Sequence, residues 1–278
     1  MRFLIFSDSK GKENGINEKV LSRLLKESKR LRPEPDFIML GGDNVGGSSD
    51  MDIYMEQLQR LRALIDICYP GIALLPVIGN HEVNNEPADD SYEKIFKSIY
   101  NDVLPHNCLQ GYNNTVYYSD YGNTRFIVLN SFHYGELNRI GERQLNWLQD
   151  TASKPMKNKI VFVHSPAFPT GAHMGHCLDL NQRDRDAFWN IVENCNVDIV
   201  FSGHEHNYSR RKCGSVYQII TGGAGEKLKD KYKDKKGVIE GPKAKYHFVA
   251  VDIENSGLKV SAIGFDGKLL DEFTMDKY

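Results

Sequence analysis

Metal-ligating side chains stand directly behind five short apolar runs: Asp8 after FLIFS, Asp43 after FIMLGG, Asn80 and His81 after LLPVIG, His164 after IVFV, and His204 with His206 after VDIVFSG. A lone Asp or His behind a strand is ordinarily a turn former or a helix cap. Five coincident strand exits are another matter, because α/β sheets form ligand sites at the carboxyl ends of their strands, where residues roughly 200 positions apart in sequence converge. The side chains are carboxylate, amide oxygen and imidazole, with no thiolate. That donor set suits manganese, iron or zinc in a working site better than a structural zinc. A carboxylate shared by two such ions, with imidazoles on either side, is how two-metal hydrolases make hydroxide at neutral pH and clamp a phosphoryl group.

Glycine stands before these residues at Gly41 and Gly42, Gly79 and Gly203, where it lets the backbone turn tightly so that the next side chain faces inward. Within His204-Glu205-His206 the i, i+2 spacing, in an extended segment, puts both imidazoles on one side.

The elements that must position these residues alternate short apolar runs with longer amphipathic ones, the pattern of an α/β fold. Strands are expected at 2–7, 36–40 and 72–78, and helices at 17–31 (capped by Asn17, ended before Pro33), 52–68 and 91–101. Two successive crossover units of this kind require a parallel sheet. Beyond residue 110 the rhythm changes: 115–121 and 125–130 flank Gly122-Asn123, a hairpin signal. A helix near 141–151, a strand at 159–163, a helix at 182–195, a strand at 197–201 and short strands near 215–220, 246–252, 258–264 and 268–273 complete the pattern. The expected architecture is a single domain over 1–278 with two packed mixed β-sheets flanked by helices. Trp147 and Trp189, on amphipathic helices, are expected in the core.

Composition bounds the partners. The 278 residues carry 35 Lys and Arg against 37 Asp and Glu, a net charge of −2, with 40% hydrophobic and 26% charged residues. A duplex-DNA binder relying on global positive charge is thereby disfavoured. The longest apolar stretch, Ile72 to Ile78, is broken by Pro76 and falls far short of the roughly 18–20 residues that cross a bilayer. Cys68, Cys108, Cys177, Cys195 and Cys213 form no CxxC pair and read as reduced packing thiols. The apolar start is too short for a signal-peptide core, so cytoplasmic residence is the expectation. Asn113 and Asn207 open glycosylation-type triplets, which also arise often by chance.

These blocks, taken in order, resemble the calcineurin-like metallophosphoesterase superfamily and, within it, its purple-acid-phosphatase-like branch. They are Asp8-Ser9-Lys10, Gly42-Asp43-Asn44-Val45, Gly79-Asn80-His81-Glu82, Val161-Phe162-Val163-His164 and Gly203-His204-Glu205-His206, supported by residues 117–131, Gln144-Leu145-Asn146-Trp147-Leu148 and His206-Asn207-Tyr208. The resemblance implies that Asp43 bridges two metal ions, that Asn80, His164 and His204 hold one and that Asp8 and His206 hold the other. It further implies in-line attack of a metal-bound hydroxide on phosphorus, with His81 protonating the leaving oxygen or stabilising its charge. Glu82 either orients His81 or is an exposed loop carboxylate.

The chain also departs from that pattern. Common members of the superfamily carry His where this chain has Lys10, and purple acid phosphatases carry Tyr three residues after the bridging Asp, where this chain has Gly46. Both extra ligands of the first metal are therefore missing, which implies a weak or differently selective site without the purple charge-transfer colour. An ammonium offers no lone pair. Lys10 thus faces a substrate phosphate, ligates in a neutral form, or points to solvent from the loop 8–16.

Residues 165–180 read as a loop over the site mouth that sets specificity, with His173 and His176 (and His133 with Tyr134 elsewhere) as residues that either touch substrate or simply decorate the surface. Residues 226–245, with eight Lys against four acidic residues, read as a solvated loop or as an attractor of nucleic acid or nucleotide. The chemistry indicated is metal-dependent hydrolysis of a phosphomonoester or phosphodiester, the monoester favoured. The alternatives are a binding or scaffold protein with one degraded metal site, and a nuclease or nucleotide phosphodiesterase. Retention of His81, which has no ligand duty, favours the enzyme.

Overall fold

The structure, a computed structural model, describes residues 1–276. Its first hundred residues alternate as expected: β1 (Arg2–Phe6), α1 (Glu18–Ser28), β2 (Phe37–Leu40), α2 (Met51–Cys68), β3 (Ala73–Pro76) and α3 (Ser91–Tyr100). Asn17 caps α1 by accepting the Val20 amide, and Asp50 caps α2 by accepting those of Asp52 and Ile53. Helix α1 buries Leu21, Leu24, Leu25 and Ser28 and stops three residues before the expected end. Strands β1, β2 and β3 pair in parallel, Phe3 with Phe37 and Phe37 with Ala73.

The second half continues through β4 (Tyr117–Tyr121), β5 (Thr124–Leu129), β6 (Phe132–His133), β7 (Glu136–Leu137), α4 (Glu142–Ala152), β8 (Asn158–Val163), α5 (Gln182–Asn194) and β9 (Ile199–Ser202). It closes with β10 (Tyr208–Cys213), β11 (Val216–Thr221), β12 (Val238–Lys243), β13 (His247–Glu254), β14 (Gly257–Gly264) and β15 (Leu269–Asp276). Tyr121 pairs with Thr124, so Gly122-Asn123 is the two-residue turn of the β4–β5 hairpin.

These strands form two large mixed sheets, in the orders β15-β14-β13-β1-β2-β3 and β12-β10-β11-β9-β8-β5-β4. Aromatic rings lock them face to face: Phe126 of β5 meets Phe3 and Phe37 edge-on, with centroids 5.2 and 5.1 Å apart, and Phe162 of β8 meets Phe3 edge-on at 6.2 Å. A second apolar cluster joins Leu148, Phe188, Trp189 and Val192 of α4 and α5 to Val161, Val163 and Val200 of the second sheet. Both sheets therefore deliver the carboxyl ends of β1, β2, β3, β8 and β9 to one edge of the sandwich.

Some expectations need correction. Strand β10 was not anticipated, because Arg210, Arg211 and Lys212 make its sequence read as a loop. Its arginines are nevertheless buried, Arg210 against Asp271 and Arg211 against Asp234, at 2.7 and 2.8 Å. The lysine-rich 226–245 is not wholly a loop, since Val238–Lys243 is β12, paired with β10. Trp189 is buried as expected, but Trp147 is only half-buried, beside Tyr118. Asn207 is fully buried, which rules it out as a glycosylation acceptor in the folded chain. All five cysteines are unpaired, and among the described residues no helix is long and apolar enough to cross a membrane.

Candidate metal centre

Asp8, Asp43, Asn80, His164, His204 and His206 meet at the shared edge of the two sheets. Asp8, Asp43 and His164 are fully buried, His204 and His206 nearly so, while Asn80 and His81 stand half-buried at the mouth. Donor atoms of Asp43, His164 and His204 lie within 4.8 Å of one another, and so do those of Asp8, Asp43 and His206. Asp43 belongs to both groups.

The turns that achieve this are strained at the candidate ligands themselves. Asp8, Asp43, His204 and His206 take φ of 61°, 50°, 68° and 51°, the left-handed region that costs L residues roughly 1–2 kcal/mol each. The glycines do less turning than expected. Gly42 has φ of 88°, but Gly79 and Gly203 supply clearance instead: a Cβ at Gly79 would stand 2.4 Å from Asp43 Oδ1, and one at Gly203 would stand 2.4 Å from Asp8 Oδ2. Likewise His204-Glu205-His206 is a bend rather than an extended segment.

Each imidazole is oriented by a backbone carbonyl. His164 Nδ1 donates to Gly41 O at 2.8 Å, His206 Nδ1 to Lys227 O at 3.2 Å and His204 Nε2 to His176 O at 3.2 Å. This is the usual outer support of a metal-ligating histidine, and it leaves the opposite nitrogen as a lone pair. His164 Nε2 and His206 Nε2 are buried with no hydrogen-bond partner, 3.3 Å from Asp43 Oδ1 and 3.6 Å from Asp8 Oδ1 respectively. Asn80 gives its Nδ2 to Asn85 at 2.7 Å. Its oxygen then lies 3.0 Å from His204 Nδ1 and 3.3 Å from both Asp43 oxygens. Lone pairs facing lone pairs in a buried space call for a cation, and this oxygen and imidazole set fits manganese, iron or zinc.

The electrostatics agree. Burial raises Asp8 to about 6. Burial also opposes ionisation of Asp43, yet Lys10 and His164 hold it well below the ordinary carboxylate range. Burial alone would lower His164, but Asp43 and Asp8 lift it to about 9, so the carboxylates draw a proton onto it until another cation takes that place. Burial, with the charges of His164 and Lys10 respectively, lowers His204 and takes His206 down to about 2, keeping both neutral, the form a metal ligand needs.

Lys10 does not point to solvent. Its buried Nζ donates to Asp43 Oδ2 at 2.6 Å. His81 is doubly anchored, its amide donating to Asp43 Oδ1 and its Nδ1 to Gly46 O, both at 2.9 Å, which leaves Nε2 4.0 Å from Asp43 Oδ2. Glu82 neither orients His81 nor lies exposed. It is fully buried and accepts the amides of Asp43, Asn44, Val45 and Gly79.

Over the mouth, Glu205 accepts the Thr170 hydroxyl and the amides of Thr170, Gly171 and His173, fastening the loop that follows His164. His173 thereby packs against His204 and His206, with centroids 4.6 and 5.1 Å away, and its Nε2 accepts from Lys229 Nζ at 2.7 Å. Burial, then Lys229, lowers His173 to about 4. His176 is exposed and contributes only its carbonyl. His133 is taken up by the buried Glu93 at 2.8 Å, and Tyr134 is exposed. The start of the lysine-rich segment lies along the site rather than loose in solvent, for the amides of Glu226 and Lys229 donate to Asp8 O and His206 O. Sequence reasoning missed Lys229, Glu205 and Phe132, whose ring stands 6.0 Å from both His164 and His204. Glu205 was signalled by its place inside a ligand block, whereas Phe132 and Lys229 needed the fold.

Comparison with known proteins accords with this geometry. Relatives include serine/threonine-protein phosphatase CPPED1 of Homo sapiens, 24% identical over 266 residues that cover 87% of this chain and 74% of the relative. Purple acid phosphatase 21 of Arabidopsis thaliana is 31% identical over 172 residues, 56% of this chain and 37% of its own. Among solved structures, purple acid phosphatase PPD1 from yellow lupin seeds shares the fold with a TM-score of 0.77 at 17% identity, over 99% of this chain and 53% of the lupin chain. This chain thus spans about half the lupin protein. A dimetal phosphatase from Danio rerio shares the fold with a TM-score of 0.70 at 18% identity, over 100% of this chain and 99% of its own. The calcineurin-like phosphoesterase family model matches residues 1–208, every ligand-type residue above included. The chain belongs to the calcineurin-like phosphoesterase family and is a hydrolase of phosphate esters.

Proposed function

We propose that the protein hydrolyses phosphomonoesters in preference to diesters, with up to two metal ions held at the groups that share Asp43. The observation that carries the metal centre in this reading is the set of lone pairs on His164, His206, His204 and Asn80, each with its far side fixed and the first two buried without a partner among the described residues, gathered at two carboxylates. Asn80, His164 and His204 would hold one ion, and Asp8 with His206 the other. Such ions, when bound, supply a nucleophile at neutral pH and neutralise phosphoryl charge. His81, with Nδ1 fixed on Gly46, presents Nε2 to the mouth and protonates the leaving oxygen. His173 and Lys229, one imidazole and one ammonium above the ligands, receive phosphate oxygens, and Lys10 adds positive charge beside Asp43. The five unpaired thiols support a cytoplasmic setting.

The test is elemental analysis of the purified protein together with turnover of p-nitrophenyl phosphate and bis-p-nitrophenyl phosphate under manganese, iron or zinc. Bound metal with faster monoester turnover is expected. Protein that takes up no metal and turns over neither ester would overturn the reading and favour a scaffold.

A further inference from the structure

The two cation groups are unequal in their donors. The group at Asp43, His164 and His204 has two imidazoles and the Asn80 oxygen. The group at Asp8, Asp43 and His206 has one imidazole and, in the place of any further donor, an ammonium. Lys10 Nζ is buried and donates to Asp43 Oδ2 at 2.6 Å, an ion pair on the carboxylate that both groups share. As an ammonium it has no lone pair to give a metal, yet it sets a positive charge against that carboxylate as a metal would.

The fold builds this arrangement in. Lys10 bridges Ile16 across a tight turn, Gly11 N donates to Gly15 O at 3.1 Å, and Lys10 N donates to Asp43 O at 3.2 Å, which points the side chain inward. The same turn packs closely on position 46. A Cβ added at Gly46 would lie 3.3 Å from Gly15 Cα and 3.5 Å from Gly11 O, a fit that asks the 11–15 turn to give by a few tenths of an ångström. Neither sequence position that could complete the group does so.

We propose that the Lys10 ammonium is the resident cation of the Asp8, Asp43 and His206 group, so that the protein rests with one tightly held metal ion and one ammonium, and a second metal ion enters only by displacing Lys10. This rests on the reading of the cluster as a metal centre.

The test is calorimetric titration of metal-stripped wild type, Lys10→His and Lys10→Met with manganese and with zinc, read as equivalents bound and their affinities. Wild type is expected to bind one equivalent tightly and a second at least about 100-fold more weakly, since even outer-shell changes cost about 10- to 100-fold in metal affinity. Lys10→His should bind two equivalents of similar affinity. Lys10→Met, which removes the ammonium without adding an imidazole, should fall between. Two equivalents within tenfold of each other in wild type would overturn the proposal, and that measurement needs no variant to fold. No equivalent bound by wild type or by Lys10→His would instead overturn the metal-centre reading beneath it.

Discussion

Glu82 holds Asp43 from behind: its Oε2 accepts the Asp43 amide at 2.8 Å, while its Oε1 takes Asn44 at 2.7 Å and Val45 at 3.2 Å. Four backbone donors on one buried carboxylate fix the turn that carries Asp43, the residue common to both candidate cation groups. Glu82→Gln places an NH₂ against N–H groups, leaving buried donors unsatisfied at about 1–3 kcal/mol each. A loss of about 2–4 kcal/mol in stability is expected from thermal or urea denaturation. Metal affinity should also fall by about 10- to 100-fold, the scale for outer-shell ligand support. Unchanged affinity in a folded variant would remove Glu82 from the site.

Glu205 does the corresponding work for the loop over the mouth, and its product is the position of His173 rather than of a ligand. Glu205→Gln is therefore expected to raise KM for p-nitrophenyl phosphate more than it lowers kcat, with metal content retained. A matching loss in Lys229→Ala would tie both effects to the imidazole above His204 and His206. Equal losses in kcat and kcat/KM would place the defect in the chemical step instead.

His81 touches Asp43 and Gly46 but, among the described residues, offers its remaining nitrogen to no group at hydrogen-bond distance. His81→Ala should lower kcat by about 10²- to 10⁴-fold, the range of a positioned general acid, while elemental analysis finds wild-type metal content. Substrates with better leaving groups should suffer less, because they need no proton. Metal lost in proportion to activity would make His81 a ligand.

Away from the site, β10 depends on charge rather than on apolar pattern. Burial opposes ionisation of Asp271, but hydrogen bonds from Arg210 and Tyr208 outweigh it and hold the carboxyl below the ordinary range. A carboxylate depressed in the fold stabilises above its unfolded value and loses that contribution as pH falls through its folded value. Asp271→Asn should therefore cost about 2 kcal/mol near pH 7, and the gap in melting temperature from wild type should close below about pH 4. A gap independent of pH would assign the effect to packing.

Much of this was legible in the residues. Strand exits at Asp8, Asp43, Asn80, His164 and His204 announce a common edge because parallel strands must end together, and hydrophobic periodicity places each of the α-helices α1 to α5 within a few residues. What stayed hidden has a physical reason in each case. Strand β10 pairs its arginines with Asp271 and Asp234, about 61 and 23 positions away, and no local pattern reports a distant carboxylate. Glu82 and Glu205 were visible as residues but not as anchors, since what they accept is backbone amide, which every residue carries. Lys10 read as facing a substrate phosphate, ligating in a neutral form or pointing to solvent, and only the turn through Ile16 aims it at Asp43.

The left-handed backbone at Asp8, Asp43, His204 and His206 sets stability against reactivity within the same four positions. Glycine would relax each of them by about 1 kcal/mol, and a selection for thermostability alone would accordingly drift toward erasing the carboxylates and imidazoles of the candidate metal centre. In this chain the strain is thus concentrated on the four residues that converge at the candidate metal centre.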